Sequence, residues 1–172
     1  MKQKQLLIIA AIVFSMGIIA IVYFTNRTKQ NPQETLSPKT EEPMFTKQAE
    51  LSFIKGADNT VVNTIAIEFA KDEYSREKGL MYRRSMDEMQ GMLFFFEDEA
   101  PRSFWMKNTY ISLDIIYIAE NKKIVSIQKS AIPLSEESLP SYKDAMYVLE
   151  VNAGFTDKYN IKVGDGIRFT EK

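Results

Sequence analysis

Apolar and polar residues alternate from Thr60 to Ala70, with Ile65, Ile67 and Phe69 on one side and Thr64, Ala66 and Glu68 on the other. A period of two is that of a half-buried strand. Leu51–Ile54 can pair with it through the turn Gly56-Ala57-Asp58-Asn59. Asp72 can cap a helix running to about Met81, and Gly79 within it marks a C-cap or a close backbone approach. Gly91–Phe96 is wholly apolar and reads as a central strand, followed by a loop at Glu97–Pro101 and a strand over Arg102–Met106. Further strands are expected at Tyr110–Ala119, Ile124–Ile132, Ala145–Val151 and Gly166–Thr170, with a short helix near Phe155–Tyr159. Pro133–Ser141 is long enough to form a lid or Ω-loop. The pattern predicts an α+β fold, mostly antiparallel β: a compact curled sheet or barrel-like domain with one main helix.

The N-terminal pattern is different. Leu6–Phe24 is an uncharged apolar run of 19 residues, and a helix of that length spans about 30 Å, the thickness of a bilayer's hydrocarbon core. It predicts a signal anchor or transmembrane helix, cleavage and secretion being the alternative. Lys2 and Lys4 precede the run while Arg27 and Lys29 follow it; counting the terminal amine, the slight excess in front places the C-terminal domain outside the cytoplasm. A polar, Pro-containing stretch then reads as a flexible tether. The expected organisation is residues 1–24 as tip and anchor, 25–44 as linker and 45–172 as one globular domain.

Composition narrows the chemistry. The chain has no Cys and no His, which removes disulfides, thiolate nucleophiles, His-based metal sites and His-dependent triads. A net charge of −1 supplies no field for nucleic acid. No phosphate-binding Gly loop or EF-hand loop is present, so no cofactor and no metal are expected.

The residues that could carry a site lie in three places. Phe104-Trp105-Met106-Lys107-Asn108-Thr109 holds the only Trp of the chain, and on a strand Trp105 and Lys107 share a face. A Trp beside a cation and an amide suits a sugar ring and its hydroxyls, while the structural alternative puts Trp105 in the core and Asn108-Thr109 in a turn. Asp114 and Glu150 each sit among aliphatic strand residues, where an ionised carboxylate needs a partner. Arg83, Arg84 and Lys107 are the available cations, and Arg83 is expected to pair with Asp114 or Glu150. The same two acids are weak candidates for the acid and base of a glycosidase.

Glu77–Arg83, Gly91–Phe94, Phe104–Thr109, Leu113–Ile115 and Tyr147–Gly154, taken in order, closely resemble the domain of unknown function 192 family over about Thr60–Phe169. The resemblance implies a compact, mostly β domain, often behind a signal peptide or anchor, with no established activity. Its polar signature falls here on Arg83, Trp105, Lys107, Asn108, Asp114 and Glu150. The functional expectation is a membrane-anchored, extracytoplasmic domain that binds a small polar ligand such as an envelope saccharide without catalysis. An envelope assembly module that contacts another protein, and a carboxylate hydrolase using Asp114 and Glu150, are the alternatives.

Overall fold

The computed structural model describes residues 42–170 apart from residue 57, so the expected anchor and most of the tether lie outside the described residues. No helix among the described residues is long and apolar enough to cross a membrane. The elements are β1 (Ala49–Ile54), β2 (Val61–Ala70), α1 (Glu73–Lys78), β3 (Gln90–Phe104), β4 (Leu113–Ile118), β5 (Ile124–Ala131), β6 (Leu139–Asn152), α2 (Phe155–Lys158) and β7 (Gly166–Phe169). The strands form one sheet in the order β5-β4-β6-β3-β2-β1-β7.

Every pairing is antiparallel except β2 with β3. A parallel neighbour requires a crossover of a dozen or more residues. Residues 71–89, with α1 inside them, supply it. Asp72 caps α1 as its sequence position suggested, accepting from the Ser75 amide while the Ser75 hydroxyl accepts from its own. The helix stops at Lys78, short of Met81, because Gly79 takes φ 45° and passes so close to β3 that a Cβ there would lie 3.2 Å from the Phe94 ring. Both readings of that glycine hold.

The sheet curls into a half-barrel. Lys123 bridges to Gly166, the Ile124 amide donates to the Asp165 carbonyl at 2.8 Å, and the Ile167 amide donates to the Lys122 carbonyl at 2.9 Å, tying β7 to the start of β5. Apolar side chains fill both faces. Leu51, Phe53, Ile65, Ile67, Ile116 and Leu149 pack inside the curl. Leu80, Phe94, Met106, Ile115, Tyr117 and Val148 pack on the other face. Strand β4 is buried along its whole length because it is covered on both sides.

The boundaries that differ most from the sequence reading are those of β3 and β6. Glu97–Pro101 is not a loop: β3 runs unbroken from Gln90 to Phe104 and absorbs the charged stretch in an irregular register between Phe95 and Ala100. Strand β6 starts at Leu139, six residues before the expected Ala145, because Leu139 and Pro140 pair with the end of that long β3.

Candidate functional site

The site grows from one row of residues across four strands. Glu68 on β2 is level with Met92 on β3, Met92 with Glu150 on β6, and Glu150 with Ile115 on β4. Residues level with one another point to the same face, so two carboxyl groups flank Met92 on the α1 side of the sheet. The loop after α1 lowers Arg83 onto this row. Its Nη1 lies 2.6 Å from Glu68 Oε2, and both side chains are shielded, the residues being 6% and 7% exposed. The contact is an ion pair and not an aligned hydrogen bond, since Arg83 Nε and Glu68 Oε2 have no hydrogen-bond partner. The other Glu68 oxygen accepts from the Thr46 amide at 2.8 Å, so the chain ahead of β1 straps the pair from outside.

Glu150 is the second acid of the row and has no such contact among the described residues. It is 5% exposed, and burial pushes its carboxyl up to about 8 although the Arg83 charge pulls the other way. At neutral pH it is mostly a neutral acid. Burial, and then the Glu150 charge, also raise the hydroxyl of Tyr117, which donates to the Leu139 carbonyl.

Glu150 opens onto a cleft of about 290 Å³ between the sheet and α1. Leu80, Phe94, Phe104, Trp105 and Thr109 line it with Glu150, and α1 contributes Glu73, Arg76, Glu77 and Lys78. Trp105 is 43% exposed, so it is a wall of the cleft and not a core residue. It stands just past the end of β3, at the head of a turn and not on a strand, with Lys107 Nζ 4.8 Å from its ring. The Asn108 side chain donates to the Tyr82 hydroxyl at 2.9 Å, and the Tyr82 amide donates to the Asn108 carbonyl at 2.9 Å. Both residues hold left-handed backbone, φ 67° at Tyr82 and 54° at Asn108. That conformation is costly for a Tyr and marks the two zipped loops as held in place by their surroundings. The loop expected as a lid is fastened to the same turn: Met106 N donates to Ser135 O at 2.8 Å and Leu134 N to Thr109 O at 3.1 Å.

Asp114 belongs elsewhere. It is level with Val151, one residue out of step with Glu150, so the two carboxylates project from opposite faces of the sheet. The expected acid–base pair across one cleft is therefore not formed. Among the described residues no cation holds Asp114 either. It is fully buried and accepts from the amides of Ser130, Gly154 and Thr156 and from the Thr156 hydroxyl at 2.7–3.2 Å. Four donors stabilise a buried carboxylate as well as a cation does, and here they clasp β4 to β5 and to the start of α2. Arg84 is exposed, with its guanidinium 5.5 Å from the Tyr110 ring.

Of the six residues expected at a site, Trp105 and Glu150 line the cleft, Arg83, Lys107 and Asn108 are not in its lining and Asp114 is on the opposite face, while Glu68 was not expected at all. Alternation put Glu68 on the polar side of β2. Where a sheet is covered on both faces the polar side is also interior. Among the described residues, no group of three acidic side chains is placed to hold a metal ion.

Residues 54–169 match the model of the family DUF192, "Uncharacterized ACR". Two solved structures share the fold. A candidate transcription regulator from Sinorhizobium meliloti 1021 is 36% identical, with a TM-score of 0.68 over 74% of this chain and 98% of that one. A protein of unknown function from Novosphingobium aromaticivorans DSM 12444 is 29% identical, with a TM-score of 0.67 over 73% of this chain and 89% of that one. No curated protein matches the chain.

Two outcomes are expected. Arg83→Ala leaves Glu68 buried without its cation and should cost about 3–5 kcal/mol in denaturant unfolding, whereas a loss under about 1 kcal/mol would mean that the pair is solvated. Glu150 holds its proton in the folded chain up to about pH 8, against an ordinary 4.5. The stabilisation is therefore complete below the lower value and lost as pH rises through the higher one, with a slope of at most about 1.4 kcal/mol per pH unit between them. With no His in the chain, no other side chain has its ordinary value inside this window. Glu150→Gln should flatten the decline, and an unchanged slope in that variant would contradict the assignment.

Proposed function

The chain belongs to the DUF192 family, and from that premise we propose that it is a non-catalytic binding domain for a small polar ligand such as an envelope saccharide. In this reading residues 6–24 anchor it in a membrane and residues 45–172 stand on the extracytoplasmic side. The observation that carries the proposal is Glu150: an almost fully buried carboxyl that accepts no hydrogen bond among the described residues and opens onto a cleft with an exposed Trp105 in its wall. Buried polar groups are normally partnered, and one left free in a concave site is positioned for a ligand. The cleft lies near the lower end of the usual range of about 300–1,000 Å³, which suits a small molecule or one unit of a larger one.

Regulation of transcription is not carried over from the Sinorhizobium relative. Between Thr46 and Lys172 the chain has 17 basic and 20 acidic residues, and a domain of net charge −3 lacks the positive field that DNA binding requires. Nor does a hydrolase fit the site, because Asp114 is on the far face.

The test uses cells carrying the full chain. It should stay with membranes after an alkaline wash, be cut by protease added outside spheroplasts, and retain labelled envelope glycan on those membranes. Trp105→Ala should lower retention by about tenfold, the effect of losing roughly 1.4 kcal/mol of aromatic contact. Retention that is equal in the variant, or capture of a protein in place of glycan, would contradict the proposal.

A further inference from the structure

We infer that the cleft selects an uncharged, hydroxyl-bearing ring, a single neutral sugar unit whose hydroxyl meets the Glu150 carboxyl, and rejects amino sugars and uronic acids. The inference rests on the binding reading above and specifies the chemistry of the same site.

The charges around the cleft are balanced. Arg83 is engaged by Glu68. On α1, Glu73 and Glu77 stand against Arg76 and Lys78. A charged ligand entering among Leu80, Phe94 and Phe104 would lose hydration with no net field of opposite sign to offset the loss. For an ammonium group, two of the four aromatic rings that line the cleft, Phe96 and Trp105, already carry cations of the chain. Arg76 and Arg102 lie 5.6 and 4.1 Å from the Phe96 ring, and Lys107 lies 4.8 Å from the Trp105 ring. For a carboxylate, Glu73 and Glu77 line the cleft, and of its two cations Arg76 Nη1 is already donated to the Lys71 and Phe95 carbonyls while Lys78 Nζ lies 5.8 Å from the Tyr74 ring.

A neutral hydroxyl meets neither obstacle. A protonated carboxyl offers one donor and one acceptor, and so does a sugar hydroxyl. Thr109 in the same wall keeps its hydroxyl bonded to the Lys107 carbonyl, so Glu150 is the polar group left for the ligand deep in the cleft. The half-exposed Trp105 supplies an apolar face for the sugar ring.

Trp105 is the single Trp of the chain, so its fluorescence reports from the cleft wall alone. The full-length protein is titrated with glucose, N-acetylglucosamine, glucosamine and glucuronate, each to about 100 mM at matched ionic strength and about pH 6.5, where the amine and the carboxylate are both charged. The expected result is a saturable change with at least one neutral sugar and binding at least about tenfold weaker for both charged ones. Glu150→Gln keeps a neutral donor and acceptor and should bind within about threefold of wild type, while Glu150→Ala should bind about tenfold more weakly. Circular dichroism confirms that both variants are folded. A charged sugar that binds as tightly as the neutral ones overturns the inference and leaves the cleft a binding site. No response to any of the four overturns the inference alone if membranes still retain envelope glycan, and both readings if they do not.

Discussion

Two acids and one Arg are buried on one face of this sheet, so one acid is left without a cation. Each buried charge costs several kcal/mol unless answered, so an interior with two acids and one Arg is stable with one ion pair and one protonated acid. Glu68 takes the Arg, 2.6 Å away, and Glu150 keeps its proton. The surrounding structure follows from that division. Arg83 reaches the sheet only if the loop after α1 folds back over it, which is where Gly79 turns the chain and where Tyr82 zips to Asn108. Thr46 closes the pair from outside. The cleft is the space left between α1 and the sheet, with the unpaired acid opening into it.

Much of this was legible in the chain. Asp72 and Gly79 gave both ends of α1 their chemistry, and aliphatic neighbours marked Asp114 and Glu150 as interior acids that would need partners. Which partner each found was not legible. Asp114 is satisfied by three amides and the Thr156 hydroxyl from segments up to 42 residues away, a solution that depends on where α2 begins and, among side chains, on Thr156 alone. Glu68 was hidden by its own strand's alternation, because a parallel neighbour and the strap at Thr46 turned its outer face into interior. The unbroken course of β3 escaped notice for a related reason: its charged middle lies where the register with β6 shifts, so the residues stay exposed without ending the strand.

The two faces divide the work. On the inner face the Asp114 clasp joins β4, β5 and α2 around an apolar core, fixing the curl of the sheet. On the outer face β6 and β4 present Glu150 and Tyr117 to the cleft side. A site whose walls are tied by backbone hydrogen bonds between the Trp105–Thr109 turn and the loop beyond Ile132 loses little freedom when a ligand arrives. Preorganisation of that kind favours affinity from few contacts, which a cleft of about 290 Å³ requires.

The protonation of Glu150 is the central claim, and carbon-13 NMR of its side-chain carboxyl, assigned by comparison with Glu150→Gln, reads it directly. The expected resonance is that of a protonated acid at neutral pH, titrating near 8. Titration near the ordinary 4.5 would show that the acid is ionised in the folded protein and would contradict the division of charge on which this reading of the structure stands.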